Sequence, residues 1–461
     1  MESGLNKPGF TTLLLGTVTL LIGCETIDRA RKAQGEADRV PGEVTITSQE
    51  AGLTNGVAYS LSELEAIALS HNPNICQAQQ SLDSARMQLE IVRSGRRLQV
   101  SASGGYSRST QNSAGRHPYR GRTSGSWSGG LDVSLLLEDF GKLDAQERQC
   151  IETIIAAEQQ LREVQIATVY ALRTAFFERL RRIQLLQVAI ENRHQYEVHL
   201  NEAKTMLRVG TRRQYDVTKA NVDWGNACLD VITASNSLRN AEATLNAALG
   251  FADSPHFDLK EEELPDRQLD VGVESLMAIA RENAPALAAA HARERAASAA
   301  VDHMIAELYP DLTAGFSLDL SGRSFPVVWN FSWFARGVAT LFNGKRNLTQ
   351  IDQAVTDLRA ARATVAETEQ NLYQDLVKAV TQRDGARESS RVAQMVYDQA
   401  KENLSIVEQQ YKIGTSSSVE RTDAQVSVTE AHANVVTAFY DEQDAQAKIA
   451  CLIGTLFSEE K

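Results

Sequence analysis

Two kinds of hydrophobic periodicity alternate along this chain. In four short segments apolar and polar residues follow one another with period two. Val100, Ala102, Gly104 and Tyr106 interleave with Gln99, Ser101, Ser103 and Ser107, and Trp127, Gly129, Leu131, Val133 and Leu135 with Ser128, Gly130, Asp132 and Ser134. Further on, Leu312, Ala314, Phe316, Leu318 and Leu320 alternate with Thr313, Gly315, Ser317, Asp319 and Ser321, and Val327, Trp329, Phe331 and Trp333 with Val328, Asn330 and Ser332. Segments of about nine to eleven residues with one apolar and one polar face predict strands, either half-buried on a soluble core or crossing a bilayer. Their arrangement in two matched pairs, with aromatics toward the strand ends, favours the bilayer.

After each strand pair the period changes to that of a helix. Ile351, Leu358, Val365, Leu372, Ala379, Ala386, Ala393, Ala400 and Val407 stand seven apart, a sustained heptad that predicts one helix from Lys345 to Lys412. At 1.5 Å per residue it is roughly 100 Å long. The shift from large aliphatics to alanine predicts closer helix approach toward Gly414. A return helix, Val419 to Cys451, carries Val419, Val426, Ala433, Tyr440 and Ala447 at the same spacing. The first half has the same plan, with Lys142 to Arg208 running out and Tyr215 to Leu249 returning. Between each pair lies a break, "LRVGTRRQY" and "QYKIGTSSS", whose Gly210 and Gly414 suit the left-handed conformation that ends a helix.

The chain thus repeats itself. Leu64, Ile67, Ala68 and Pro73 recur 212 residues later as Leu276, Ile279, Ala280 and Pro285, and Val100 and Ala102 as Leu312 and Ala314. At an offset of 204, Leu207 to Thr211 recurs as Tyr411 to Thr415, and Asn246 to Gly250 as Ala450 to Gly454. The extra length of the first half falls in the loop Ser107 to Thr123, which carries Arg108, Arg116, His117, Arg120 and Arg122 and reads as a solvated loop. An internal duplication with first repeat 58–250, linker 251–271, second repeat 272–456 and tail 457–461 accounts for this pattern.

Composition supports long helices. Of nine prolines, none lies between Pro118 and Pro255 and none after Pro326, as uninterrupted helices require when an interior proline costs about 3 kcal/mol. The formal net charge of -12 excludes the basic stripe of a nucleic-acid binder. Phe10 to Ile22 is an apolar run of secretory length behind Lys7, closed by Leu21-Ile22-Gly23-Cys24. That tetrapeptide resembles a bacterial lipobox, which implies a signal peptide over 1–23, a lipidated thiol on Cys24 and an anchored linker over 24–57. Glu25 gives no inner-membrane retention signal. Cys76, Cys150, Cys228 and Cys451 lie far apart in helical patterns and read as small buried apolar residues, with a disulfide the alternative. No metal-ligand spacing, nucleophile motif or phosphate loop occurs, so neither an enzyme nor a cofactor is expected.

With these features together, the chain resembles the TolC-type outer-membrane efflux protein family. The residues that carry the resemblance are Leu64 to Pro73 and their echo Leu276 to Pro285, Leu308-Tyr309-Pro310-Asp311-Leu312, Leu341-Phe342-Asn343-Gly344-Lys345, and the twins Val209-Gly210-Thr211 and Ile413-Gly414-Thr415. The first half departs from the pattern at Leu98 and at Glu138-Asp139-Phe140-Gly141. The resemblance implies an α+β, mostly α fold: an outer-membrane β-barrel with four strands per protomer, continuous with a long α-helical barrel in the periplasm. Four strands cannot close a barrel, since known ones begin at about eight, and three copies would supply twelve. The function implied is a passive channel in tripartite efflux or type I secretion. Its partners would be two further copies of itself, a periplasmic adaptor (membrane fusion protein), an inner-membrane transporter and outer-membrane lipid. Position by position, Val209, Gly210, Thr211, Ile413, Gly414 and Thr415 become the periplasmic tip and adaptor contact, and Arg212, Asp216, Glu420 and Asp423 the candidate gate. Lys219 stands where the second turn has Asp423. The rival readings are a periplasmic coiled-coil adaptor and a structural lipoprotein, against which the two hairpins and four alternating segments count.

Overall fold

The structure, a computed structural model, describes residues 28–34, 57–111, 122–211, 213–251, 253, 255–260, 272–324 and 327–455. Cys24 and the signal segment lie outside them. In chain order the elements are β1 (Ala58–Tyr59), α1 (Leu61–His71), α2 (Pro73–Ser94), β2 (Gln99–Gln111), β3 (Arg122–Glu138), α3 (Lys142–Arg208) and α4 (Gln214–Leu249). Then follow β4 (Asp258–Leu259), α5 (Val273–Asn283), α6 (Pro285–Ala306), β5 (Asp311–Gly322), β6 (Val328–Val338), α7 (Arg346–Lys412) and α8 (Ser418–Leu452). The order helix, helix, strand, strand, long helix, return helix therefore occurs twice. Both long helices have 67 residues, and their ends fall within a residue of the heptad reading. No described helix is long and apolar enough to cross a membrane.

The chain divides into two compact units. One contains residues up to Cys76 and Ala171–Glu263. Here Ser60 caps α1 through a reciprocal pair with Glu63, and the helix stops before Pro73, whose ring disfavours helical backbone at Asn72. β1 and β4 pair in parallel, Ala58 against Asp258 and Tyr59 against Leu259. Beside them Arg179 is buried: it donates to the Phe257 carbonyl (2.5 Å), lies 5.0 Å over the Phe257 ring and meets Glu242 at 3.4 Å. Desolvation lowers the pKa of this guanidinium.

The other unit, Gln77–Tyr170 and Leu264–Lys461, holds the large sheet. Its order is β2-β3-β5-β6, antiparallel throughout. The register puts like with like on each face. One rung is Ala102, Leu131, Leu318, Phe331 and another Val100, Val133, Phe316, Trp333; the alternate rungs are Ser101, Asp132, Ser317, Ser332 and Ser103, Gly130, Asp319, Asn330. A one-residue slip in any pair would mix the two faces, so the pattern fixes the pairing. On the polar face a Cβ at Gly315 would come within 2.5 Å of the Phe334 ring. Strand pairing runs further than the alternation suggests: Ser107 to Gln111 and Arg122 to Thr123, expected in a loop, are paired strand. Threonine and serine side chains explain the extension, with hydroxyls hydrogen-bonded across the strands at Ser107/Ser126 (2.9 Å) and Thr110/Thr123 (2.8 Å).

The helices α2, α3, α6 and α7 stand side by side in the order of the strands that follow or precede them. Ion pairs join neighbours: Arg93–Glu147 (2.7 Å) between α2 and α3, Arg295–Glu152 (2.8 Å) between α3 and α6, and Arg362–Glu294 (3.1 Å) between α6 and α7. A core of Leu276, Met277, Ala280, Leu287, Leu376, Ala379 and Ile449 packs α5 and α6 onto α7 and α8. The first-half departure at Glu138–Gly141 is functionally conservative. The Asp139 carboxylate accepts from the backbone N–H of Gly141 (3.1 Å) and Leu143 (2.7 Å), while Asn343 accepts from Asn347 (3.4 Å). Phe140 and Lys345 both take positive φ, 53° and 69°.

The heptad on α7 holds: each of its positions is half-buried or buried. That on α8 holds only in its second half, with Ala433 half-buried and Tyr440 and Ala447 buried. Toward the turn Val419 and Val426 are exposed, and a second buried stripe runs through Ala424, Ala431, Ala438 and Ala445. Small side chains let α7 and α8 approach closely, so alanine covers the seam and the valines face away. The cysteines also depart from expectation. All four are free, Cys76 is exposed and the others are half-buried; burial pushes the Cys451 thiol up.

Candidate functional site

Each helix pair reverses through a five-residue device. At the α3–α4 turn Gly210 has φ 81° and its N–H donates to the Leu207 carbonyl at 3.0 Å; Thr211 donates twice to the Met206 carbonyl, through N–H and Oγ1, both at 3.0 Å. At the α7–α8 turn Gly414 has φ 82° and donates to Tyr411 at 3.1 Å, and Thr415 donates to the Gln410 carbonyl through N–H (2.9 Å) and Oγ1 (3.1 Å). Glycine supplies the left-handed residue and threonine satisfies one carbonyl of the last helical turn. The residue before each glycine joins the turn through its backbone N–H, Val209 to the Thr205 carbonyl (3.1 Å) and Ile413 to the Gln409 carbonyl (3.3 Å), while its side chain faces out: Val209 is 74% exposed and Ile413 76%.

The helix starts beyond the turns differ. Ser417 and Glu420 form a reciprocal cap, Ser417 N–H to Glu420 Oε2 at 2.9 Å and Glu420 N–H to Ser417 Oγ at 3.2 Å, and Ser416 Oγ donates to the same carboxylate at 2.5 Å. At the other turn the Arg213 N–H reaches Asp216 at 3.3 Å. Arg212 lies outside the described residues. Asp423 is exposed, while Lys219, at the matching place, pairs with Asp223 at 3.0 Å. Asp216 and Glu420 are therefore bound as caps, and Asp423 presents its carboxylate to solvent.

A cluster that no sequence pattern singles out lies inside the α7–α8 turn. Arg421 is buried, its guanidinium 4.8 Å over the ring of buried Tyr411 and 3.9 Å from Glu408. The corresponding positions of the other turn are Val217, Leu207 and Lys204. Only the adjacency of two helices brings these residues together, so no linear motif announces them.

The Ser416 hydroxyl, and after it the Ser417 N–H, hold the Glu420 carboxyl below its ordinary range. A depressed carboxyl stabilises the cap above the ordinary carboxylate pKa, and that stabilisation is lost as pH falls through the lowered value. Hydrogen-exchange protection at the α8 start is therefore expected to be flat from neutral pH to about pH 5 and to fall below it. In Glu420→Gln the fall disappears; a profile identical to the parent's would show that the cap is not what titrates. Among the described residues no His, Cys, Asp or Glu cluster could hold a metal.

The described residues thus form a sheet with one aromatic and aliphatic face and one hydroxyl and carboxylate face, and long helices ending in glycine turns. A sequence model described as outer membrane efflux protein matches residues 64–251 and 276–455. The probable outer membrane lipoprotein SilC of Salmonella typhimurium is 22% identical over 464 residues, covering 96% of this chain and 98% of that protein. Among solved structures, one of CusC described in terms of folding and transmembrane channel formation superposes with TM-score 0.74 at 20% identity, over 87% of this chain and 93% of that one. The Campylobacter jejuni CmeC outer membrane channel gives TM-score 0.74 at 15% identity, covering 87% of each chain.

Proposed function

The chain belongs to the outer membrane efflux protein family, of the TolC type, and from that premise we propose that it is the outer-membrane channel of a tripartite efflux or type I secretion assembly, passively conducting substrates to the cell exterior. The observation that carries this is the sheet. Its apolar face suits lipid and its serine and aspartate face suits water, in register across four strands. Among the described residues its outer strands β2 and β6 are paired on one side only, and an open edge cannot sit in hydrocarbon. Three copies of this duplicated chain would pair edge to edge into twelve strands and close the barrel.

In this reading Cys24 carries the lipid anchor and the helices project into the periplasm. Val209, Gly210, Thr211, Ile413, Gly414 and Thr415 form the tip that meets the adaptor. The exposure of the Val209 and Ile413 side chains, which the turns use only through their backbone, supports that contact. Of the gate candidates, Arg212 and Asp423 would act by charge, and Asp216 and Glu420 by holding turn shape. Likeness to SilC, and to CusC of Escherichia coli (strain K12), a cation efflux system protein, supports efflux of small solutes or ions over protein secretion.

Purified full-length protein in planar bilayers is expected to give discrete conductance steps and to behave as a trimer in mild detergent. A monomer, or a trimer with no conductance, would sink the channel reading.

A further inference from the structure

Charge is spread unevenly over the polar face of the large sheet. Asp132 and Asp319 stand on successive polar rungs in its middle. Four residues beyond Ser332 along β6, toward the helices and about 13 Å away, the same face carries Arg336. Phe334, between them, is the one residue of β6 that is not exposed. Its ring leans across to β5 over Gly315, where a Cβ would come within 2.5 Å of the ring and 2.8 Å of the Val133 carbonyl. Arg336 sets its guanidinium 5.5 Å over that ring, and its own carbonyl accepts from Thr313 Oγ1 at 3.4 Å. Glycine thus gives the ring a seat, and the ring gives the cation one. The first half has no counterpart, since Ser103, 212 positions before Gly315, faces Gly130.

Nothing nearby cancels this charge. Among the described residues Arg336 makes no ion pair, and the carboxylates at that end of the sheet are engaged elsewhere. Asp311 binds Lys142 at 2.7 Å, and Glu138 Oε1 accepts from the backbone N–H of Asp139 (3.2 Å) and Phe140 (2.9 Å).

We infer that Arg336 sets the ion preference of the conduit: three copies of it form a cationic belt at the helix end of the barrel, and the solutes this mouth admits most readily are anionic. The belt rests on the proposed trimeric channel and goes beyond it in naming the charge class of what passes. Twelve strands about 4.8 Å apart and tilted by about 40° close at a radius of about 12 Å. An arginine reaching inward then lies within a Debye length, about 10 Å at 0.1 M salt, of an ion on the axis. Three such charges shift the ratio of anion to cation entry by about threefold or more, as a ring of like charges selects the opposite sign. Asp132 and Asp319 pull the other way farther along, so a solute leaving the helices meets the arginines first.

The test is made in planar bilayers with the purified full chain in which Cys76, Cys150, Cys228 and Cys451 are replaced by serine, reading the reversal potential across a KCl gradient. Arg336→Cys is expected to raise the cation-to-anion permeability ratio about threefold or more, and Arg336→Gln to raise it alike without a thiol. Arg336→Lys, which keeps the charge, is expected to keep the parent ratio. On Arg336→Cys a trimethylammonioethyl methanethiosulfonate restores the parent ratio and a sulfonatoethyl one raises it further, with labelling verified by mass. Both reagents act on one assembled protein, so folding does not enter the comparison. Equal ratios after the two reagents, or a thiol that neither reaches, in channels of parent conductance would overturn the belt and leave the channel reading intact. A parent chain without conductance would overturn both.

Discussion

Leu131→Arg is expected to abolish the assembled protein in the outer membrane, while Asp132→Ser, one residue on, leaves assembly unchanged. Leu131 stands mid-strand between Ala102 and Leu318 on the apolar face, and Asp132 between Ser101 and Ser317 on the polar one. In the proposed barrel this arginine would face lipid near the bilayer midplane, at a cost of about 2–4 kcal/mol in each copy, and the proposed threefold ring would multiply it. That total is of the order of a domain's whole stability. A lumen position keeps its water and feels none of this. The measurement is the amount of detergent-resistant trimer in outer-membrane fractions. Normal trimer from Leu131→Arg, or its loss in Asp132→Ser, would reverse the assignment of the two faces.

This contrast is legible in the amino-acid pattern alone, because a strand's period is two and every rung repeats it. The long helices are legible too, since 67 residues without proline or an internal glycine pair leave few alternatives. What the pattern hides shares one physical origin. The α8 seam is alanine, which carries no periodic signal against an alanine-rich background, and the exposed valines at Val419 and Val426 supply a false one. Similarly, Glu138–Gly141 looks like a broken motif because capping depends on an acceptor at the right place, and Asp139 supplies it as well as Asn343 does. At the turns, the glycines and threonines are readable as local chemistry. Arg421 is not, because its burial depends on Tyr411, one helix away.

Arg421→Ala is expected to loosen the α7–α8 turn without unfolding the helices around it. The guanidinium stacks on Tyr411 and approaches Glu408 in a site from which water is largely excluded. A desolvated cation over an aromatic face contributes on the order of 2 kcal/mol, and the arginine stem adds packing that alanine cannot replace. Losing them leaves a void against Tyr411 and a carboxylate near it without its cation. Amide exchange between Gln409 and Arg421 should then speed up roughly 10–100-fold, as about 1.4 kcal/mol corresponds to each tenfold. Arg421→Lys should recover part of the protection, since charge remains but the planar stacking does not. At the α3–α4 turn the same positions are the half-buried, uncharged Val217 and Leu207, so Val217→Ala should alter exchange there less. If the turns are a tip that opens, they differ in stiffness. Arg421→Ala should then raise the closed-state conductance of the reconstituted protein as well as local exchange, and faster exchange with unchanged conductance would separate the turn's rigidity from gating.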